Sequence, residues 1–575
     1  MPVVPALATN GVVGALSRTQ FRSGTSIIRR MPTMPAAARF TPAPGIVRGF
    51  IVAFVLGLAG VPHAAAQSTL PVEVELLLQR AKIPKDAVTM VVQDAGSGRS
   101  RLALNAAQPM NPASLEKLLT TQAALDILGP AFTWTTPVWI EGALSKSDAA
   151  APAQDSLALD GRVVIKGSGD PRLVAERLWL LMQRLRQTGL RTIRGDIVID
   201  QSGFDIADVA PDRFDNEPLR AYNVRPQAFV AAQKSLLLTF TPQPARGVAT
   251  VQVLPPLEGV QIDAAVPLAA PDAGCSDWRT KLGAQWGTVD ASTTNVALGG
   301  GSNGAATSAG NGASTSAGNS SAVAVAAPSA TRLRFTGTLA AICGERTWPM
   351  AYPDPAGWHA RAIGAMWSML GGTLTGTVRE SRTGIAPNIA TSPPSFEFAS
   401  SPLAEVVRDI NKFSNNTMAQ QLFLTLSLQR QGKGTWEGSR QVLRQWLTDQ
   451  VKAPARETKE LVVENGSGLS RESRVSAALL ARVLQHAWRG PAMPDLMASL
   501  PASGLDGTMR RSQLAQGRAH LKTGSLRDVA GIAGYVLGTS GKRYVVVAIV
   551  NHEFANAARP AFDALVQWVG DDYSF

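Results

Sequence analysis

Apolar and polar residues in the first part of the chain follow a pattern that predicts two strands and then a helix. Residues 89–105, TMVVQDAGSGRSRLALN, hold two apolar runs on either side of a Gly-rich turn, as paired strands do. The stretch LEKLLTTQAALDILG, residues 115–129, spaces its apolar residues for one buried helical face. Gly129-Pro130 then predicts the end of that helix.

Between about residue 131 and residue 361 the apolar runs become short. Pro, Gly and Asp turns separate strand-like segments such as RVVIKGSG, GDIVID and SLLLTFTP, and one helical segment at 171–189 interrupts them. This pattern predicts one or two small β-rich domains. Residues 298–330 consist almost entirely of Gly, Ser, Ala, Asn and Thr, which predicts a disordered surface loop because this composition cannot bury a core.

Helical periodicity returns from about residue 362 and is clearest over residues 401–430. The segments AHLKTGSLRD, VAGIAGYVLG and RYVVVAIVNH then predict three consecutive strands, followed by an amphipathic helix around residues 560–570. Consecutive strands joined by short turns favour an antiparallel sheet, here covered by helices. We therefore predict an α+β fold.

The N-terminus has the features of an export signal. Residues 1–66 contain six Arg and neither Lys nor an acidic residue, and the apolar run FIVAFVLGLAG occupies residues 50–60. Ala64 and Ala66 fit the two small-residue positions of a cleavage site before Gln67. The apolar run is too short to span a bilayer comfortably, which favours a cleaved signal peptide over a retained anchor.

Composition describes a soluble globular protein with 45% hydrophobic and 17% charged residues. At 575 residues the chain is too long for one ordinary core, so two to four domains are expected. The net charge is +12, but six positive charges lie in residues 1–66, which leaves a modest excess of six. No Lys/Arg run has interleaved aromatic residues, so we expect no nucleic-acid partner.

The cysteines and histidines do not indicate a metal site. An oxidising compartment would favour a disulfide between Cys275 and Cys343, with two free thiols as the alternative. The five His residues are scattered, and the chain contains neither His-Glu-x-x-His nor Cys-x-x-Cys. We therefore expect no metal, no cofactor and no His-based mechanism.

Three short motifs each occur once in the chain. SLEK, residues 114–117, lies where the predicted helix begins, and its spacing places Ser and Lys on one helical face. SNN, residues 414–416, lies at a break between helical segments, and KTG, residues 522–524, lies on a predicted strand. Each motif alone has a plain structural interpretation, as a helix cap or a strand end. Their rarity and order favour a common site instead.

This triple of motifs is typical of penicillin-binding proteins and class A β-lactamases. With PAS before the first motif, GSGLSR (466–471) and SGLDGT (503–508), most of the mature chain resembles the D-alanyl-D-alanine carboxypeptidase/endopeptidase family of S13 peptidases. GSGDPRL (167–173) and GDIVIDQSGFD (195–205) resemble the insert of that family. Asn415 stands where β-lactamases have Asp, as in the S13 family, which argues against a β-lactamase.

The resemblance implies a penicillin-binding transpeptidase-like catalytic domain, an α/β/α sandwich that a large insert interrupts. Residues 67–130 and 362–575 would form the catalytic domain, and residues 131–361 would form the inserted, mainly β domains. A disulfide between Cys275 and Cys343 would staple this insert. The 296 residues between the first two motifs agree with an insertion of domain size.

The resemblance also implies a role for each residue of the first two motifs. Ser114 would be the nucleophile and Lys117 its base, because a Ser hydroxyl needs a base to take its proton. An amine can serve as that base when burial and a neighbouring cation, here Lys522, lower its pKa. Ser414 would relay a proton to the leaving amine, and Asn416 would hydrogen-bond Lys117 and the substrate amide.

The third motif would bind the substrate. Lys522 and Thr523 would hold its terminal carboxylate, and Gly524 would keep the face of the strand open. The oxyanion of the transition state would accept hydrogen bonds from the backbone N–H groups of Ser114 and Ser525.

By this resemblance the protein would be a penicillin-binding D-Ala-D-Ala carboxypeptidase of the periplasm. Its substrates would be peptidoglycan stem peptides, with D,D-endopeptidase activity as an addition and β-lactams as inhibitors. Two alternatives stay open: a β-lactamase or esterase on the same scaffold, and a non-catalytic cell-wall-binding protein. An intact set of motif residues argues against the second alternative, because a scaffold has no need of all of them.

Overall fold

The computed structural model describes residues 69–146, 156–288, 330–384, 392–512 and 515–572. The helices of these residues, numbered in chain order, are α1 Val72–Arg80, α2 Lys117–Leu128, α3 Ala175–Arg186, α4 Trp358–Met369, α5 Leu403–Phe413, α6 Asn416–Gln431, α7 Trp436–Asp449, α8 Ala455–Glu460, α9 Ala477–Arg489, α10 Met493–Ser499 and α11 Arg559–Asp571. The export signal and almost all of the Gly/Ser-rich loop lie outside the described residues. Within the part of the chain described, no helix is both long enough and apolar enough to cross a membrane.

The strands belong to five sheets and are numbered in the same way. They are β1 Val88–Asp94, β2 Ser100–Leu104, β3 Pro109–Met110, β4 Thr135–Lys146, β5 Leu157–Lys166, β6 Leu190–Ile193, β7 Ile197–Asp200, β8 Ser235–Gln243, β9 Val248–Leu254, β10 Val260–Ile262, β11 Ala265–Pro267, β12 Leu282–Thr288, β13 Thr331–Gly337, β14 Arg346–Ala351, β15 Thr373–Leu374, β16 Val378–Ser381, β17 Phe396–Ala399, β18 Val475–Ser476, β19 Ala519–Leu526, β20 Val529–Leu537 and β21 Arg543–Asn551.

The largest antiparallel sheet joins the two ends of the described chain, in the strand order β19-β20-β21-β1-β2. Alternate residues of a strand face opposite sides, so Val545 and Val547 of β21 belong to one apolar core, shared with α2, α6 and α9, and Val546 and Val550 belong to another, shared with α1 and α11. Apolar residues on both faces explain why β20 and β21 are buried over almost their whole length. The predicted α+β fold, an antiparallel sheet between helical layers, is confirmed.

The region between β3 and α5 forms three further sheets. One mixed sheet has β15-β6-β5-β4-β17 as its path, with β7 paired to β5 and β16 paired to β7. The other two are the antiparallel β11-β9-β8-β14 and the smaller β10-β13-β12. Helices α3 and α4 share one apolar core with these sheets, and Cys275 and Cys343 form a disulfide.

The insert extends further along the chain than residue 361, where the sequence prediction ended it. Residues of β15, β16 and β17 pair with β6, β7 and β4, and Phe396 lies directly opposite Val138. Trp358 and Trp367 of α4 are also buried in the core of the insert. Helical periodicity shows that a helix is half-buried without showing which core buries it, so the sequence pattern alone does not fix this boundary.

Candidate active site

Lys117 lies at the centre of the candidate site. It is the first residue of α2, and Ser114 lies in the 3₁₀ turn just before that helix. The Nζ of Lys117 donates hydrogen bonds to Ser114 Oγ at 3.0 Å, to Asn416 Oδ1 at 2.6 Å and to the backbone oxygen of Ser467 at 2.5 Å. The side chain of Lys117 is completely buried. These contacts hold the amine against the hydroxyl that it would deprotonate.

The SNN motif forms the junction between α5 and α6. Ser414 has a left-handed backbone with φ of 56°, which turns the chain sharply after α5. Asn415 caps α6, because its side-chain oxygen accepts the N–H of Met418 at 3.0 Å. Asn416 is the first residue of α6, so its side chain is directed to Lys117 while Asn415 points away. This explains why the first and third residues of the motif, rather than the second, face the site.

The KTG motif completes the cluster from strand β19. Lys522 Nζ donates to Ser414 Oγ at 2.9 Å and to the backbone oxygen of Thr523 at 2.7 Å, and Lys522 is fully buried. Ser525 is exposed on the same strand, and its hydroxyl donates to Asn556 Oδ1 at 3.3 Å. Hydrogen bonds thus connect the first motif to the second and the second to the third.

Burial lowers the pKa of both amines, and repulsion by Lys522 lowers that of Lys117 further. Burial, and then the charge of Lys522, lower the pKa of Lys117 well below its usual value, while Glu116 acts in the opposite direction. Burial alone lowers the pKa of Lys522 to about 7. This lowered pKa favours the neutral form of the Lys117 amine, which has the lone pair that a general base requires.

Two glycines let other segments approach the backbone of the nucleophile. A Cβ at Gly524 would lie 2.7 Å from the backbone oxygen of Pro112, so β19 packs closely against the turn that carries Ser114. A Cβ at Gly468 would lie 1.8 Å from the backbone oxygen of Ala113, and Gly468 has φ of 74°. A side chain at either position would clash with the neighbouring backbone, so both positions require glycine.

Sequence reasoning missed the contact that the GSGLSR segment makes with Lys117. The segment contributed only to the family resemblance, although the backbone carbonyl of Ser467 accepts a hydrogen bond from the Lys117 amine. Ser467 is itself fixed, because its hydroxyl donates to Asn465 Oδ1 at 2.7 Å and accepts a hydrogen bond from Gln420 at 3.2 Å. The Asn-Gly-Ser-Gly sequence indicates a tight turn, but no residue type reveals a backbone acceptor.

The SGLDGT segment connects the second and third motifs. Thr508 and Thr523 share a hydrogen bond of 2.8 Å between their hydroxyl groups. Asp506 binds Lys412 of α5, two residues before Ser414, with 2.6 Å between Oδ2 and Nζ. Burial raises the pKa of Asp506, but the contact with Lys412 and the Ala502 N–H outweigh it and leave that pKa lowered. The ion pair therefore anchors the segment beside the candidate site.

The fold is that of the penicillin-binding peptidases. It resembles the crystal structure of penicillin binding protein 4 from Haemophilus influenzae with a TM-score of 0.59 and 19% identity, over 86% of this chain and 100% of that chain. The same protein complexed with a novel β-lactam gives a TM-score of 0.57 at 19% identity, over 86% of this chain and 100% of that chain.

The chain belongs to the D-Ala-D-Ala carboxypeptidase 3 (S13) family, whose model matches residues 70–571. A D-alanyl-D-alanine carboxypeptidase from Actinomadura sp. (strain R39) is 26% identical, over 84% of this chain and 81% of that protein. The D-alanyl-D-alanine carboxypeptidase DacB of Haemophilus influenzae is 21% identical, over 77% of this chain and 80% of that protein. The family predicted from the motifs is therefore confirmed, together with the class of enzyme, a serine-type D-Ala-D-Ala carboxypeptidase.

Proposed function

We propose that the protein trims peptidoglycan stem peptides through an acyl-enzyme on Ser114. The observation that carries this proposal is the position of the Lys117 amine, 3.0 Å from Ser114 Oγ and 2.6 Å from Asn416 Oδ1. No His is needed in such a mechanism, since a buried amine takes the proton.

The reaction would proceed in two steps, acylation and deacylation of Ser114. Lys117 takes the hydroxyl proton as Ser114 Oγ attacks the carbonyl carbon of the penultimate D-Ala. The proton then passes through Ser414 to the nitrogen of the terminal D-Ala, whose C–N bond breaks as the Ser114 ester forms. In the second step, water attacks the ester after giving a proton to Lys117, and that proton returns to Ser114 as the oxygen leaves.

Lys522 and Thr523 would bind the terminal carboxylate of the substrate. Lys522 is charged when its side chain binds the anion, and the hydroxyl of Thr523, the next residue of β19, hydrogen-bonds Thr508 at 2.8 Å. Backbone N–H groups of Ser114 and Ser525 would stabilise the oxyanion. A requirement for a free carboxylate follows, because an amide at that position offers no charge to Lys522.

The same site would react with β-lactams and with crosslinked peptides. A β-lactam would acylate Ser114, and the resulting ester would be hydrolysed slowly. Cleavage of D-alanyl–diaminopimelate crosslinks is a second proposed activity.

We also propose that residues 1–66 direct the chain to the periplasm, where peptidoglycan lies.

The test is release of D-Ala from a stem pentapeptide that ends in D-Ala-D-Ala. We expect D-Ala release by the wild-type protein, and release at least about tenfold slower from the C-terminal amide of the same peptide, because the amide loses a charge-assisted contact. A crosslinked dimer of stem peptides assays the endopeptidase activity in parallel. An intact pentapeptide together with rapid turnover of a β-lactam would contradict the proposal and favour the β-lactamase alternative.

The pH dependence of this hydrolysis should depend on Lys522. Its lowered pKa of about 7 means that Lys522 loses its charge as the pH rises through neutrality. We expect kcat/KM for the pentapeptide to fall on the alkaline side with an apparent pKa near this value. Arg stays protonated at these pH values, so the Lys522→Arg variant should lose this alkaline limb. An unchanged limb in that variant would assign the titration to another group.

A further inference from the structure

A cavity of about 500 Å³ lies in the insert, behind the segment that supports Asn416. Its volume is typical of sites for small molecules. None of the residues of the SLEK, SNN and KTG motifs lines it. Strand β16, the start of α4 and the segment of residues 208–227 form its walls. It is therefore distinct from the candidate active site.

The floor of the cavity is a buried network of charged and polar side chains. Glu380 Oε1 lies 2.6 Å from His359 Nδ1 and 3.5 Å from Lys234 Nζ, and Lys234 also donates to the backbone oxygen of Pro355 at 2.7 Å. Burial lowers the pKa of His359 to about 4. Burial raises the pKa of Glu380, but the contacts with His359 and Lys234 together outweigh it and bring that pKa to about 2. At neutral pH Glu380 is therefore an anion and the imidazole of His359 is neutral.

Two groups of the cavity lack a hydrogen-bond partner. Arg382 pairs with Asp208, and Arg379 pairs with Asp196, whereas Arg225 forms no ion pair or hydrogen bond with the other described residues and is attracted by the charges of Glu464 and Asp208 without pairing with either. Gln227 donates from Nε2 to Glu380 at 3.4 Å, whereas its Oε1 is buried and accepts no hydrogen bond from the described residues. Buried polar groups are normally satisfied, so an unsatisfied one in a cavity wall points to a ligand.

Small apolar side chains contribute much of the wall, among them Val209, Pro211, Val224, Ala356 and Val378, beside Tyr352 and the charged Asp208, Arg379 and Arg382. A ligand that fits this lining has a small apolar body. It also needs an anionic group for Arg225 and a hydrogen-bond donor for Gln227 Oε1. A carboxylate suits a guanidinium, because both are planar and can form two parallel hydrogen bonds.

We propose that this cavity binds the free carboxyl end of a short peptide with small side chains. The terminal carboxylate lies on Arg225, and a peptide N–H donates to Gln227 Oε1. This assignment rests on the proposed function, since the substrates and products of the enzyme are peptides of this kind. The cavity is a second peptide site, apart from the one beside Ser114.

The wall of the cavity connects this second site to the catalytic residues. Val224 lines the cavity, and its backbone oxygen accepts the hydroxyl of Thr417 at 3.1 Å. Two residues earlier, the backbone oxygen of Tyr222 accepts the side-chain amide of Asn416 at 3.4 Å. A bound peptide that orders this segment therefore stabilises Asn416 in its contact with Lys117. The expected consequence is faster acylation of Ser114 when the cavity is occupied.

The test measures peptide binding when the active site is blocked. The full chain is first acylated with benzylpenicillin, and the tetrapeptide left after D-Ala release is then titrated by calorimetry. We expect binding that weakens at least about tenfold for the C-terminal amide of the tetrapeptide and for the Arg225→Gln variant, since both lose the charge-assisted pair. The matched control is Arg444→Gln, which removes an exposed Arg on α7 and should bind as the wild type does.

A second readout is the rate at which a fluorescent penicillin labels the protein. Saturating tetrapeptide should raise this rate at least twofold in the wild type and leave it unchanged in Arg225→Gln. Absence of binding to the acylated protein, or equal affinity in the wild type and Arg225→Gln, would overturn the proposal. If penicillin does not acylate the protein, the proposed function fails, and the same Arg225→Gln comparison on the unmodified protein still decides whether the cavity binds the peptide.

Discussion

Replacing Lys117 with Met is expected to slow acylation of Ser114 by about 10³- to 10⁴-fold, the upper range for loss of a general base. Met has a similar length and shape, so it fills the buried space but cannot accept the proton of Ser114. The measurement is the second-order rate of labelling by a fluorescent penicillin. Circular dichroism and thermal unfolding should show a folded protein, because Met fills the volume that the buried Lys side chain occupied.

The Lys459→Met variant is the control for this substitution. Lys459 lies on α8, away from the three motifs, and should label at the wild-type rate. A Lys117→Met variant that labels within about tenfold of the wild type would show that another group activates Ser114.

Replacing Gly468 with Ala is expected to slow acylation by about 10²-fold or more, because small displacements of a nucleophile have effects of this size. The added Cβ would lie 1.8 Å from the backbone oxygen of Ala113, so the turn that carries Ser114 must move. The left-handed backbone adds about 1–2 kcal/mol of strain, so the melting temperature should also fall.

Gly541→Ala provides the matched control for the backbone effect. Gly541 also has a positive φ, of 82°, but a Cβ there meets no atom within 4 Å. This variant should lose about the same free energy of unfolding from backbone strain and keep the wild-type acylation rate. Equal loss of activity in both variants would show that general destabilisation, rather than displacement of Ser114, explains the result for Gly468.

Much of the fold follows from local patterns in the sequence. The apolar segments predicted as β20 and β21 are buried on both faces. Nearly continuous apolar runs are typical of strands at the centre of a sheet that is covered on both sides. The contact between Ser114 and Lys117 was predictable for the same reason, because helical geometry alone brings residues three apart together.

Features that depend on long-range packing could not be predicted in this way. The return of the chain to the catalytic core at α5, rather than at residue 362, depends on the pairing of β17 with β4. The hydrogen bond of Ser467 to Lys117 uses a backbone oxygen, which every residue has. The contact of Lys522 with Ser414 joins residues 108 apart, and only the family resemblance indicated it.

We propose that Ser114 is the nucleophile of the site that these three motifs form. The most direct measurement is peptide mapping by mass spectrometry after the protein is incubated with benzylpenicillin. We expect one penicilloyl group per chain, on the peptide that contains Ser114, and no adduct on the Ser114→Ala variant. An adduct on a different residue, or equal labelling of the Ser114→Ala variant, would assign the nucleophile to another residue.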